Sequence, residues 1–411
     1  MIKTTNNVNN ILLSYVIVLY AVCCCTPKFA LSEYFLLPFV LGGMFVLSVF
    51  GKLLSNNNLV LTLLVLLYSL LVIFYNLLGI SSTSPAEVFQ HLQFFFFILI
   101  MELMAGVKEK KKLRIAFFMA VLIVAVNVVD NIYISILYPE INTMRHYMDE
   151  KFLAQINAGG GWFYTMSLFF FNICFFGFMH SGEKLKIAML ICSIFSAIYI
   201  IGYCNKASVV VFFIMSLLLQ LLAYKCKSVK TFYVSCFVVA GIATLLVGAL
   251  QEVIVDFIIS VSPSDRLTQR LVLLVDANNV EANESTLTSR QNLYWLSIET
   301  WLSNISSFLF GIGDHRASFD VEKTGIGQHS DFADSLARYG VLGLSLLLPI
   351  LIKAFKLLMS FFDKKYRTSV VCIIIAFICC GITKKVFLPS AGFLLFILFP
   401  LFSLYVKQNK K

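Results

Sequence analysis

Charge is what this sequence has least of. Only 13% of its 411 residues are Asp, Glu, Lys or Arg, while 59% belong to the apolar set. A soluble multidomain protein needs far more charge to cover its surface. The apolar residues are instead close in number to what a dozen membrane spans of roughly 20 residues consume. Cysteine is missing from the long polar segments. None of the eleven (23, 24, 25, 174, 192, 204, 226, 236, 372, 379 and 380) lies in 138–161 or 251–333, so no disulfide framework is implied. The run Cys23-Cys24-Cys25 has no His or acidic neighbour to suit a metal site, and reads as small packed hydrophobes. No small-residue cleavage site or lipobox follows the first apolar run, which Lys3 alone precedes, so that run reads as an uncleaved helix. The longest polar segment has no DxD-like metal pair, and nothing in the sequence calls for a metal or an organic cofactor.

What is present is a succession of apolar runs. Spans are expected near 11–25, 29–50, 59–79, 88–107, 113–137, 162–180, 185–203, 207–224, 231–250, 334–352, 368–383 and 386–406. The expected fold is therefore all-α and membrane-integral, with about twelve transmembrane helices. Residues 1–250 form a nine-helix part, 251–333 a large loop bearing short amphipathic helices, and 334–411 a three-helix part.

Alternate loops sort by charge. Those around Lys52, Lys108 to Arg114, Lys184 to Lys186, Lys225 to Lys230 and Lys353 to Arg367, with both tails, hold 20 of the 32 basic residues. Short basic loops belong in the cytoplasm, which puts both termini there and the long loops 138–161 and 251–333 outside. The net charge of +10 first resembles that of a nucleic-acid binder. Its distribution removes that reading, because the basic excess is cytoplasmic and orients the chain, while the remainder is acidic overall.

Functional candidates follow from the few charges left. Glu102 and Asp130 lie within spans, where an acid is a functional candidate by default, but both sit near an interface and also suit pairing with a neighbouring polar group. Six of the eight arginines are external (Arg145, Arg266, Arg270, Arg290, Arg316 and Arg338), although lysine would satisfy topology. A rigid, permanently charged fork suits diphosphate recognition; pairing with the loop's own acids or with lipid headgroups is the alternative. Arg266 and Arg270 are four apart and share a face if 264–275 is an interfacial helix. Arg290 follows Thr288 and Ser289, plausible caps for a surface helix over 290–303. Gly311-Ile312-Gly313 lacks the third glycine and βαβ setting of a nucleotide loop and reads as a turn; Gly159-Gly160-Gly161 reads as a flexible lead into the sixth span. His329, just ahead of the tenth span and followed by Ser330, Asp331 and Asp334, can exchange a proton near neutral pH or serve structurally.

His329-Ser330, nine residues, Gly340, two residues and Gly343 form a pattern that resembles the histidine motif of the O-antigen ligase family. Arg290 and Trp295 followed by Phe310-Gly311-Ile312-Gly313 resemble the loop shared by O-antigen ligases and O-antigen or capsule polymerases. The resemblance covers the topology throughout, and specific residues only between about 200 and 343. It implies a metal-independent glycosyltransferase of the bacterial inner membrane, working at the periplasmic face on an undecaprenyl-diphosphate-linked oligosaccharide. His329 would act as general base or acceptor-orienting residue. Arg290, with Arg266, Arg270 and Arg338, would hold the diphosphate. Lys206 stands where members of that family usually carry an arginine, which weakens the bidentate role there. Two acceptors remain open: another lipid-linked repeat unit for a polymerase, the expectation favoured here, and lipid A core for a ligase. A chain-length regulator is an implied partner, together with membrane lipid. A lipid-linked oligosaccharide flippase is the alternative from another class, and a purely structural membrane partner is a third.

Overall fold

The computed structural model describes residues 2–30, 42–43, 59–81, 85–106, 111–139, 141, 150–204, 206–226, 228, 230–236, 289–314 and 324–408. The principal helices are α1 (Ile2–Cys25), α2 (Leu59–Leu77), α3 (Pro85–Ala105), α4 (Lys111–Leu137), α5 (Gly161–His180), α6 (Glu183–Ile198) and α7 (Ala207–Lys225). After the long loop come α8 (Ser289–Leu302), α9 (Ile305–Phe310), α10 (Asp331–Ser360), α11 (Arg367–Thr383) and α12 (389–408), the last running through a π-helical stretch at Leu394–Leu398. No strand occurs among the described residues. Eight helices there are long and apolar enough to cross a membrane, and 12–25 and 389–403 are shorter apolar helices. The architecture is that of an α-helical, multi-pass membrane protein. The expected spans 29–50 and 231–250 lie largely outside the described residues, as does 251–288 of the long loop.

Nine helices coincide with expected spans to within a few residues at most ends, because most of those ends are marked by charge, Pro or Gly. The tenth departs most. Expected over 334–352, it begins at Asp331 and runs on past Lys353 and Lys356 to Ser360. Both lysines are exposed while Leu347, Ile350, Ala354 and Leu358 are buried, so the helix keeps one apolar stripe and carries its charges on long outward stems.

Burial separates an inner set from an outer one. The apolar windows of α5 and α3 are 83% and 72% buried, against 33% for α2, α6, α7 and α10. The outward Leu, Ile and Val side chains of the outer set suit a hydrocarbon surround, where they carry no penalty. At the centre, every residue of 391–403 in α12 is buried. Aromatic rings fill this core: Phe94 stacks on Phe377 with centroids 5.8 Å apart and meets Phe396 edge-on at 5.4 Å. Phe176 makes edge contacts with Phe362, Phe399 and Phe402.

Several polar side chains inside this apolar body are paired across helices, as the lack of water favours. Glu102 accepts a hydrogen bond from Thr62 Oγ1 at 3.1 Å, and Asn157 Nδ2 donates to Asp130 at 2.5 Å. Gln220 donates to Asn172 Oδ1 at 2.6 Å, tying α7 to α5. Both intramembrane acids thus have a neighbouring polar partner. The eleven cysteines are all free thiols, and Cys23, Cys24 and Cys25 are buried in packing.

One helix is broken. Gly340 in α10 has φ 57° and ψ −157°, outside helical space. The break lets 331–339 leave the axis of 341–360 and dock against α8 and α9. Glycine is required on two grounds. A side chain disfavours that φ, and a Cβ at 340 would stand 2.6 Å from the Leu309 carbonyl. Gly340→Ala should therefore cost about 1–3 kcal/mol, read as a lowered midpoint in reversible unfolding from mixed micelles. A variant as stable as the parent would mean that the break is not a fixed feature.

Candidate functional site

The site is built around the first turns of α10. Ser330 caps the helix, its Oγ accepting from Ala333 N at 3.1 Å and donating to Gly381 O at 3.3 Å, which pins the helix start to the end of α11. Asp331 follows. Its Oδ2 accepts the backbone N–H groups of Val386 and, at 2.6 Å, Phe387, while its own N–H donates to Lys384 O at 3.4 Å. The 384–388 turn between α11 and α12 is thereby sewn to the His329-Ser330-Asp331 segment.

Two turns into the helix lies Arg338, 1% exposed. Its Nε stands 3.2 Å from Asp314 Oδ1, and its Nη2 stands 3.8 Å from Asp334 Oδ2. Asp314 is delivered by the Phe310-Gly311-Ile312-Gly313 segment that follows α9. That segment bonds directly to the broken helix: Ile312 N donates to Ala337 O and Gly313 N to Arg338 O, each at 2.9 Å. Gly311 has φ 75° and lies so close to the Arg338 carbonyl that no Cβ fits. Tyr75 of α2 donates to Phe310 O, and Asp314 N donates to Ser81 Oγ at 2.8 Å. The glycine pair is thus more than a turn: it brings two backbones together at the point where Gly340 frees the Ala337 and Arg338 carbonyls from their helical partners.

His329 stands at the rim of this assembly. Gln328, at φ 56°, turns the chain just before it, and the His329 side chain is exposed. Its Nδ1 lies 2.8 Å from Gly327 O. A carbonyl only accepts, so Nδ1 carries the hydrogen and Nε2 is the basic nitrogen of the neutral ring. Gly327 is itself held, its N–H donating to Ser297 Oγ at 2.9 Å, and Ser297 donates to Asp334 Oδ1 at 2.7 Å. A continuous chain of contacts therefore runs from Arg338 through Asp334, Ser297 and Gly327 to His329.

The residues marked out in the sequence separate. His329 and Arg338 belong to one assembly, although Arg338 is enclosed with two carboxylates rather than set on an open external surface. Arg290 falls in the first turn of α8, whose later residue Ser297 reaches the site; the Arg290 side chain lies outside what the structure describes. Lys206 occupies the residue before α7 in extended conformation, partly exposed. Arg266 and Arg270 lie outside the described residues, as do Arg145 and Arg316. Sequence reading missed Ser297, Asp314, Tyr75 and the turn at Lys384-Lys385. Asp314 had a signal in its position directly after Gly313; Ser297 and Tyr75 had none. The chain matches no protein-family model and no curated protein.

Removing one partner of a buried ion pair leaves an uncompensated charge. Arg338→Leu should thus lower stability by about 3–5 kcal/mol, and adding Asp334→Asn should recover part of that loss. Equal unfolding midpoints for Arg338→Leu and the parent would contradict the buried arrangement.

Proposed function

We propose that this protein is a glycosyltransferase of the O-antigen or capsule polymerase type, lodged in a bacterial inner membrane with its termini in the cytoplasm. It moves a glycan from undecaprenyl diphosphate to a sugar hydroxyl of another lipid-linked repeat unit at the periplasmic face. The observation that carries this reading is His329: exposed, held as the Nδ1–H tautomer by Gly327 O, and set at the junction of α8, α10 and the α11–α12 turn.

In this reading the acceptor hydroxyl gives its proton to Nε2 of His329 as its oxygen bonds to the anomeric carbon of the donor. The bond from that carbon to the phosphate oxygen breaks, and the diphosphate leaves with the electron pair. Fixed cations stabilise the growing negative charge there. Arg290 is assigned that role, with Arg266, Arg270 and Lys206 as further contacts to the diphosphate. Arg338, grouped with them by sequence, faces Asp314 and Asp334 and is assigned to holding the start of α10 in place. Both substrates are lipid-tethered at one surface, so holding them in register supplies much of the remaining rate enhancement. A chain-length regulator is the protein partner this reading expects.

A ligase would use the same groups and pass the glycan to lipid A core, so the acceptor decides between them. The deletion strain should carry a single repeat unit on core when its lipopolysaccharide is run on a gel, whereas complete loss of attached units would assign ligase activity instead. Complementation with His329→Ala should fail to restore the ladder of lengths; a full ladder would sink the catalytic assignment. Arg290→Lys should shorten or weaken the ladder, because a single ammonium cannot replace a bidentate fork.

A further inference from the structure

Between Glu299 and Asp314 the chain has no charged residue, and in the middle of this stretch stands α9, which the transfer scheme above does not use. Five large apolar side chains reach the surface there: Leu302, Ile305, Phe308, Leu309 and Phe310, with Ile305 79% exposed. Within α9 only Ser307 is buried. An apolar patch of this kind is rare on a surface that faces water and marks a place of interaction.

The polar groups of the same stretch are answered within the chain. Asn304 Oδ1 accepts from Ser307 N at 2.8 Å, and the Asn304 amide donates to Ser303 Oγ at 3.2 Å. Ser303 Oγ donates in turn to Thr300 O at 2.8 Å, and Gly311 N donates to Ser307 O at 2.8 Å. The Trp301 indole lies flat against Phe308, ring centroids 5.2 Å apart, and its N–H donates to Phe308 O at 3.1 Å. Beyond α9, Phe310 O accepts from Tyr75, while Ile312 N and Gly313 N donate to carbonyls of α10. A loop in water can leave such groups to solvent, but one at membrane depth cannot.

The neighbour of the patch decides its partner. Tyr75, in the last turn of α2, holds Phe310, and Ser81, just beyond that helix, holds Asp314. α2 is long and apolar enough to cross a membrane, and Phe74, Leu77 and Leu78 at this end of it are as exposed as the side chains of α9. The apolar surface of α9 therefore adjoins the hydrocarbon-facing surface of a span. We infer that α9 is a membrane-inserted wedge: a helix too short to span, which enters the leaflet at the Leu77 end of α2 and takes the acyl chains of that leaflet as its partner. The segment after α9 carries Asp314 to Arg338, so the wedge ties the buried ion pair, and the histidine beyond it, to the depth of that leaflet. The inference goes beyond the transfer reading and does not depend on it.

The full-length protein, carrying the photoreactive residue p-benzoylphenylalanine in place of Ile305 or, in a second variant, Leu309, is irradiated in nanodiscs of phosphatidylcholine, and the adducts are located by mass spectrometry. Both side chains are exposed, so the probe displaces no packed core. The same probe at Leu70, on the outward face of α2, reports hydrocarbon, and at the exposed Glu299 it reports the polar side of α8. Probes at 305 and 309 should form adducts on the acyl carbons of the lipid in yield comparable with that at 70, and the probe at 299 should lose them. Adducts confined to headgroup carbons, or no lipid adduct, place α9 outside the hydrocarbon and overturn the insertion. Adducts to residues 251–288 or to a second copy of the chain mean that protein covers the patch, and overturn it equally. None of these outcomes bears on the ladder of glycan lengths, so the transfer reading is tested apart from this one.

Discussion

Burying a guanidinium away from water costs several kcal/mol unless anions surround it, and the region about His329 is organised by that requirement at Arg338. Two carboxylates answer it from different parts of the chain. Asp334 comes from the preceding turn of the same helix, and Asp314 from the loop after α9. For Asp314 to arrive, its backbone must pass close to α10, which only the glycines at 311 and 340 allow. Asp334 then orients Ser297, Ser297 holds Gly327, and Gly327 fixes the ring of His329. The position of an exposed imidazole is in this way set by a charge buried two turns along the helix.

The rest of the molecule obeys a different solvent. Outer helices show apolar side chains outward without loss, so their association rests on shape and on a small number of interior polar pairs. Thr62 with Glu102, Tyr68 with His91 and Asn172 with Gln220 each join two helices. A buried polar group in such a medium has few alternative partners, so these pairs specify which faces meet more than they add to overall stability. The aromatic packing around Phe94 and Phe176 supplies the bulk, and the polar pairs supply the register.

The positions of the described helices were largely legible in the sequence because hydrocarbon thickness and charge exclusion leave apolar runs that end at residues such as Lys111, His180 and Lys225. The extension of α10 to Ser360 was not, since Lys353 and Lys356 look like loop residues until their stems are seen to lie on the exposed side of an amphipathic helix. Of the site, His329 and Arg338 stood out as unusual charges at a membrane boundary. Their relation did not. It depends on Gly340 leaving helical geometry, and a glycine inside an apolar run carries no sign of whether the helix continues through it. Ser297 and Asp314 are polar residues in a polar loop, and only the docking of that loop on α10 distinguishes them. The value of Gly311 and Gly313 likewise lay in backbone approach, which spacing alone does not convey.

The placement of α12 at the centre of the bundle bears on how the molecule is assembled. This helix follows all the others described in chain order, yet residues 391–403 are enclosed on every side. Chains are made from the amino end at about 5–20 residues per second, so α1 to α11 exist for some seconds before the segment that fills the space among them. Until α12 is present, the rings of Phe94 and Phe176 lack Phe396, Phe399 and Phe402, against which they pack. The region around His329 shares this dependence on α12, because the turn sewn to Asp331 leads directly into that helix.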